Sequence, residues 1–127
     1  MKRIAFVFDI DGVLLRGNKL IQPAIDFLKS ISYKNIDFAL MTNGAGDTEA
    51  NKAIKLSKIL GTTIKENQVF LSHTPMKQIS NNFNRPLVIG RNSENCKYIL
   101  ESYGFQNIVT TEAIHAYDPT IFPDMDT

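Results

Sequence analysis

The sequence predicts an α/β fold with a parallel sheet, and three observations carry that reading. Short apolar runs alternate with amphipathic helical stretches, the pattern of strands joined by helical crossovers. Most helical stretches open on a capping residue or a proline, and two close on glycine. The first apolar run leads directly into FDIDG, which puts two carboxylates, one residue apart, where a parallel strand leaves its sheet.

Residues 4–8 (IAFVF) form the first expected strand, and their unbroken apolar run suits a strand buried on both faces. Pro23 suits the first turn of the next helix, whose Ala24, Ile25, Phe27, Leu28 and Ile31 make one apolar stripe facing the sheet. Residues 36–41 are the second strand. Asp47 or Thr48 caps the second helix, Gly61 stops it, and Ala50, Ala53, Ile54, Ser57 and Leu60 share one side. Residues 69–71 are the third strand, after which Thr74 and Pro75 open a third helix. Residues 86–89 are the fourth strand. Asn92 or Ser93 caps a fourth helix that turns Cys96, Ile99 and Leu100 inward and ends at Gly104. Residues 107–109 are the fifth strand, and Thr110 or Thr111 opens a short helix around Ile114. The polar stretch NNFNRP, at 81–86, sets a boundary: residues 1–83 form one unit and 84–127 begin another.

Composition excludes several classes of function. The chain has 127 residues, 43% of them hydrophobic, enough to bury about 65–70% of the surface of its unfolded chain. Lys and Arg number 14 against 13 Asp and Glu, and a net charge of +1 gives no field for gripping nucleic acid or an anionic membrane. One cysteine, Cys96, makes neither an internal disulfide nor a cysteine metal site, which fits a reducing compartment. No apolar stretch approaches the ~20 residues of a membrane helix, and a strand starting near Arg3 leaves no room for a leader. The expected address is the cytosol.

Ligands of a parallel α/β sheet sit beyond the carboxyl ends of its strands. Asp9 and Asp11 are there, and the second strand ends in Thr42-Asn43-Gly44, bringing a hydroxyl, an amide and a flexible backbone to the same edge. Carboxylates repel phosphate unless a cation intervenes, and Mg²⁺ takes one or two carboxylates together with phosphate oxygens and water. Asp9 then attacks phosphorus as a nucleophile. Asp11, on the same side of an extended chain, donates a proton to the leaving oxygen and later accepts one from water. Thr42 and the N–H groups near Asn43 and Gly44 bind the phosphoryl oxygens.

DIDGVLLRG, followed some thirty residues later by MTNG, closely resembles the haloacid dehalogenase superfamily, in particular its class IIA. LMTNGAG, LSKILG and QVFLSHTPM resemble the subgroup related to the cat eye syndrome critical region protein. The resemblance implies a Rossmann-like core, incomplete in this chain, followed by the beginning of an α/β cap domain. It implies Mg²⁺-dependent phosphoryl transfer through an aspartyl-phosphate, with Asp9 as nucleophile, Asp11 as acid/base and Thr42 as phosphate binder. It also gives the Asp11 main-chain carbonyl to the metal and makes residues 12–20 a flap hairpin, turning at Gly17-Asn18. The family's lysine motif and its later acidic motif lie beyond the cap insertion. Asp118, Asp124 and Asp126 follow no apolar strand and are not assigned to that acidic motif. Family members in eukaryotes are often mitochondrial, which makes that compartment the alternative address.

A DxD after a strand, taken alone, is a cap and a turn. Its setting in FVFDIDGVLLRG, paired with MTNG, reverses that reading. Gly90 in IGRNSEN lacks the spacing of a dinucleotide loop and is a tight strand-to-helix turn. His73 is assigned a structural hydrogen bond, His115 a surface or half-buried place, and Cys96 a small buried role; Lys52, Lys55 and Lys58 are a solvated helix face. The expected function is a magnesium-dependent phosphatase-like hydrolase acting on a small phosphorylated metabolite. The alternative is a catalytically silent metal- or phosphate-binding or partner module. A phosphoacceptor receiver domain is disfavoured, because no acceptor aspartate follows Met41 or Leu71. The expected partners are the phosphorylated substrate and, through an exposed sheet edge, a second copy of the chain.

Overall fold

The computed structural model describes residues 3–121. The chain divides into two compact units between Thr74 and Pro75. The stretch 81–86, used above as a boundary, lies inside the second unit.

The first unit is a three-stranded sheet with two helices and a hairpin. Its strands are β1 (Ala5–Asp9), β4 (Asp37–Met41) and β5 (Val69–Phe70), parallel throughout and ordered β1-β4-β5. The register sets Asp9 beside Met41 and Met41 beside Phe70, so the three strands end level. Between β1 and β4 run the hairpin β2 (Leu15–Arg16) and β3 (Lys19–Leu20), then helix α1 (Gln22–Tyr33). Gly17 takes the hairpin turn at φ 60°, a left-handed backbone that glycine adopts without strain. Helix α2 (Glu49–Leu60) joins β4 to a short 3₁₀ turn and β5. The Thr48 hydroxyl accepts the Asn51 N–H at 3.2 Å and so caps α2. Gly61, at φ 63°, closes it.

Successive strand residues face opposite sides of a sheet, and among the described residues only one side is covered. Phe38, Leu40 and Val69 are buried with Ile25, Leu28 and Ile31 of α1 and Ala53, Leu56 and Leu60 of α2, and Phe6 and Phe8 pack against them. Ala5, Val7, Met41 and Phe70 point the other way and are exposed, Val7 by 63%. The expectation that the first strand is buried on both faces is therefore corrected. Among the described residues β1 is an edge strand with one bare face, so Val7 has nothing to pack against. Two helix faces also differ from the sequence reading. Phe27 lies at the margin, with its ring edge-on to Phe6 at 5.2 Å, and the buried row of α2 includes Leu56 and not Ile54. Residues 53, 56 and 60 follow the three-then-four spacing of one helical stripe, which turns Ile54 outward.

The second unit pairs β6 (Leu87–Val88) with β7 (Val109–Thr110) in parallel, and helices α3 (Ser93–Ser102) and α4 (Thr111–Tyr117) follow these strands. Its core is Val88, Ile99, Leu100, Tyr103 and Phe105, with Cys96 partly buried against it. Asn92 caps α3 and Thr110 caps α4 through their side-chain oxygens. Gly90 lies in the strand-to-helix turn, where a Cβ would meet Cys96 Sγ at 2.5 Å and force that side chain to move. The third expected helix is a 3₁₀ segment, Thr74–Asn82. Ser80 is its one buried residue, so no apolar row rewards the regular α geometry.

Candidate active site

The site grows from the end of β1. Ile10 follows the strand and is 1% exposed, and its carbonyl accepts N–H bonds from Leu14 and Leu15, both at 2.9 Å. That anchor fixes the backbone between Asp9 and Asp11, and both carboxylates remain exposed on either side of a buried residue. The Ile10 N–H donates to Asp9 Oδ1 at 2.8 Å, holding that carboxylate against its own strand end. Gly12 then turns the chain at φ 83°, and its N–H bonds to the Leu15 carbonyl, seating the hairpin next to the acids.

The end of β4 supplies the facing wall. Thr42 is 4% exposed, and its N–H continues the ladder by bonding to the Phe70 carbonyl at 3.0 Å. Its hydroxyl accepts the Gly44 N–H at 3.0 Å and lies 3.4 Å from Asp11 Oδ2, a long contact that brings the two strand ends together. Asn43 is exposed and Gly44 half-buried. A Cβ at Gly44 would stand 3.3 Å from the Thr42 hydroxyl, so glycine keeps this loop tight against the threonine. Asp9, Asp11, Thr42, Asn43 and Gly44 thus meet at one sheet edge, with Asp11 and Thr42 in side-chain contact.

Two residues beside this corner, Ser72 and Glu49, escaped the sequence reading, and a third, Asp47, was read there only as a candidate cap of α2. Ser72, just past β5, donates its N–H to the Gly44 carbonyl at 3.3 Å; its position right after a strand was the available signal. Glu49 is 3% exposed in the first turn of α2, a burial that no residue pattern announces. Asp47 pairs with Lys55 at 2.6 Å. Burial pushes the Asp47 carboxyl up, but hydrogen bonds from Lys55, the Thr48 N–H and Asn51, with the Lys55 charge, outweigh it and leave the group below the usual carboxylate range. Lys55 is therefore an ion-pair partner within an otherwise solvated face. Asp118 accepts the Thr120 N–H and hydroxyl in a turn, as a loop carboxylate does. His73 and His115 are half-buried. Asp124 and Asp126 lie outside the described residues.

A parallel α/β sheet thus carries acids at the end of its first strand and a hydroxyl just past the end of its second. The chain matches the model of the haloacid dehalogenase-like hydrolases over residues 6–106 and belongs to that family, in its class IIA. It is 40% identical over 122 residues to a mitochondrial hydrolase of Saccharomyces cerevisiae, an alignment covering 96% of this chain and 34% of the yeast protein. It is 31% identical over 71 residues to a dihydroxyacetone phosphatase of Corynebacterium glutamicum, covering 56% of this chain and 26% of that one. A crystal structure of a hypothetical protein from Pyrococcus horikoshii superposes with a TM-score of 0.70 at 26% identity, covering 90% of this chain and 43% of the other. The matches thus span a third or less of the length of these curated relatives, 34% of the yeast protein and 26% of the bacterial one.

Among the described residues no helix is long and apolar enough to cross a membrane.

Proposed function

We propose that this chain carries the nucleophile, acid/base and phosphate-binding groups of a magnesium-dependent phosphatase-like hydrolase acting on a small phosphorylated metabolite. One observation carries the reading: Asp9 and Asp11 flank the buried Ile10, and the Thr42 hydroxyl stands 3.4 Å from Asp11 Oδ2 at the end of the adjacent strand. The phosphatase name of the bacterial relative supports the reaction class. The mitochondrial name of the yeast relative favours that compartment over the cytosol.

The donor set fits a hard divalent cation. Two exposed carboxylates and the Asp11 carbonyl are all oxygen ligands. Among the described residues no group of three or more His, Cys, Asp or Glu is gathered for a softer or fully protein-built site. Asp9 and the Asp11 carbonyl would hold Mg²⁺, which supplies neutralisation of phosphate charge when bound. The Ile10 N–H engages Asp9 Oδ1, which leaves Oδ2 to attack phosphorus. As the new O–P bond forms, the ester P–O bond breaks, and Asp11 gives its proton to the departing oxygen. Water then attacks the phosphoryl group on Asp9 and passes a proton to Asp11, releasing phosphate and restoring both side chains. Thr42 and the Gly44 backbone orient the phosphoryl oxygens, where positioning supplies much of the rate.

Rapid quench with a generic aryl phosphate ester tests this on any length form that hydrolyses the ester. Phosphate should be trapped on Asp9, Asp9→Ala should abolish turnover, and Asp11→Asn should lower it roughly 10²–10⁴-fold. Undiminished turnover in Asp9→Ala refutes the covalent route. No turnover in any length variant supports the silent-module alternative.

A further inference from the structure

A buried glutamate sits behind the phosphate loop without belonging to it. Glu49 is 3% exposed, yet it occupies the first turn of α2, where a carboxylate is ordinarily solvated. The Thr74 hydroxyl donates to its Oε1 at 2.6 Å. The same hydroxyl oxygen accepts the Leu71 N–H at 2.8 Å, so its single proton is directed at the glutamate. The Thr74 N–H in turn bonds to the Leu71 carbonyl at 3.0 Å, closing a tight turn just past β5.

That turn holds Ser72, whose N–H donates to the Gly44 carbonyl at 3.3 Å and whose hydroxyl lies 3.5 Å from the same oxygen. Gly44 donates its own N–H to Thr42 Oγ1, and Thr42 reaches Asp11. One chain of hydrogen bonds therefore runs from Glu49 through Thr74, the turn after β5 and Gly44 to Thr42, whose hydroxyl stands 3.4 Å from Asp11. Its members come from the stretch that follows β4 and from the turn that follows β5, and Glu49 is the buried group at its root. Leaving a buried polar group of this kind without its hydrogen bond is costly.

We infer that Glu49 is a positioning residue: through Thr74 it holds the turn after β5 against Gly44, and so sets the place of the Thr42 hydroxyl and the Gly44 backbone for phosphate. The inference rests on the phosphate-binding role proposed for Thr42 and Gly44. Glutamine keeps an acceptor oxygen where glutamate has one, whereas alanine removes it, so the two substitutions separate the hydrogen bond from the rest of the side chain.

Amide hydrogen exchange on the 127-residue chain, in the wild type, Glu49→Ala and Glu49→Gln, reads the network directly. Exchange at Leu71, Ser72 and Gly44 should quicken roughly tenfold or more in Glu49→Ala, with Phe8 and Leu40 unchanged, and should return toward wild type in Glu49→Gln. Thr74→Ala should reproduce the effect and Thr74→Ser should not, which serves if Glu49→Ala fails to fold. Unchanged exchange at those three amides overturns the inference, as does a uniform rise across the sheet, since that marks general stability alone. A second arm titrates inorganic phosphate with Mg²⁺ and follows the Thr42 and Gly44 amide shifts. An apparent Kd raised about tenfold in Glu49→Ala and kept in Glu49→Gln supports the positioning role. Wild-type affinity in Glu49→Ala refutes it. Absence of any shift in the wild type refutes the phosphate reading instead, and leaves the exchange arm to decide what Glu49 holds.

Discussion

Replacing Thr42 with valine keeps the branched shape of a residue that is 4% exposed and removes its hydroxyl. Two contacts disappear. The Gly44 N–H loses its acceptor at 3.0 Å, and the 3.4 Å approach to Asp11 goes with it. The second is longer than a good O–H···O bond and contributes little. The first is a neutral hydrogen bond worth about 0.5–1.5 kcal/mol net, rising to ~3 kcal/mol if the N–H were sealed from water. Gly44 is half-buried, so water recovers part of that N–H, and the loss should be about 1 kcal/mol. With a urea slope of about 1–2 kcal/mol/M, the midpoint of the first unit should fall by roughly 0.5–1 M. The assay is a urea titration followed by the methyl signals of Leu40 and Val69, which report the first unit's core. A midpoint at or above wild type would show that the Thr42–Gly44 bond does not hold the loop. In that event Thr42 would have no structural claim on the site.

Mg²⁺ should bind weakly at Asp9 and the Asp11 carbonyl, because one carboxylate and one carbonyl leave most of the shell to water; calorimetry should record an event that Asp9→Asn removes, and an unchanged event would move the metal elsewhere. Asp47 lies below its ordinary value when folded, so the unfolded chain binds more protons and stability should decline as pH falls below about 4, through the folded value. Asp47→Asn should flatten that decline in acid unfolding, and an identical pH profile would discount the Lys55 pair. The isolated 127-residue chain should be marginally stable, with negligible turnover and concentration-dependent elution on gel filtration, since among the described residues β1 is an edge and its Val7 is 63% exposed. Val7→Lys should reduce the association, and a monomer with one cooperative transition and metal-dependent turnover would contradict all three expectations.

The residues alone determined much of this protein. Alternating apolar runs and capped helices identified parallel β/α units, because strand and helix periods and the chemistry of Thr48, Gly61 and Asn92 act locally. FDIDG and MTNG likewise announced a site, since the ends of neighbouring parallel strands must fall on one edge. Tertiary structure decided what depends on neighbours distant in sequence. Val7 reads as core by composition and is exposed, because burial depends on what covers a face. Ile54 and Leu56 are equally apolar, and only the direction of the sheet from α2 buries one and exposes the other. Glu49 reads as an ordinary first-turn acid. Its burial, and its bond to a threonine 25 residues away, arise where the start of α2 after β4 meets the turn after the neighbouring strand β5. Hydrogen bonds between segments so far apart leave no period in the sequence, and so the network behind Thr42 is a property of the fold alone.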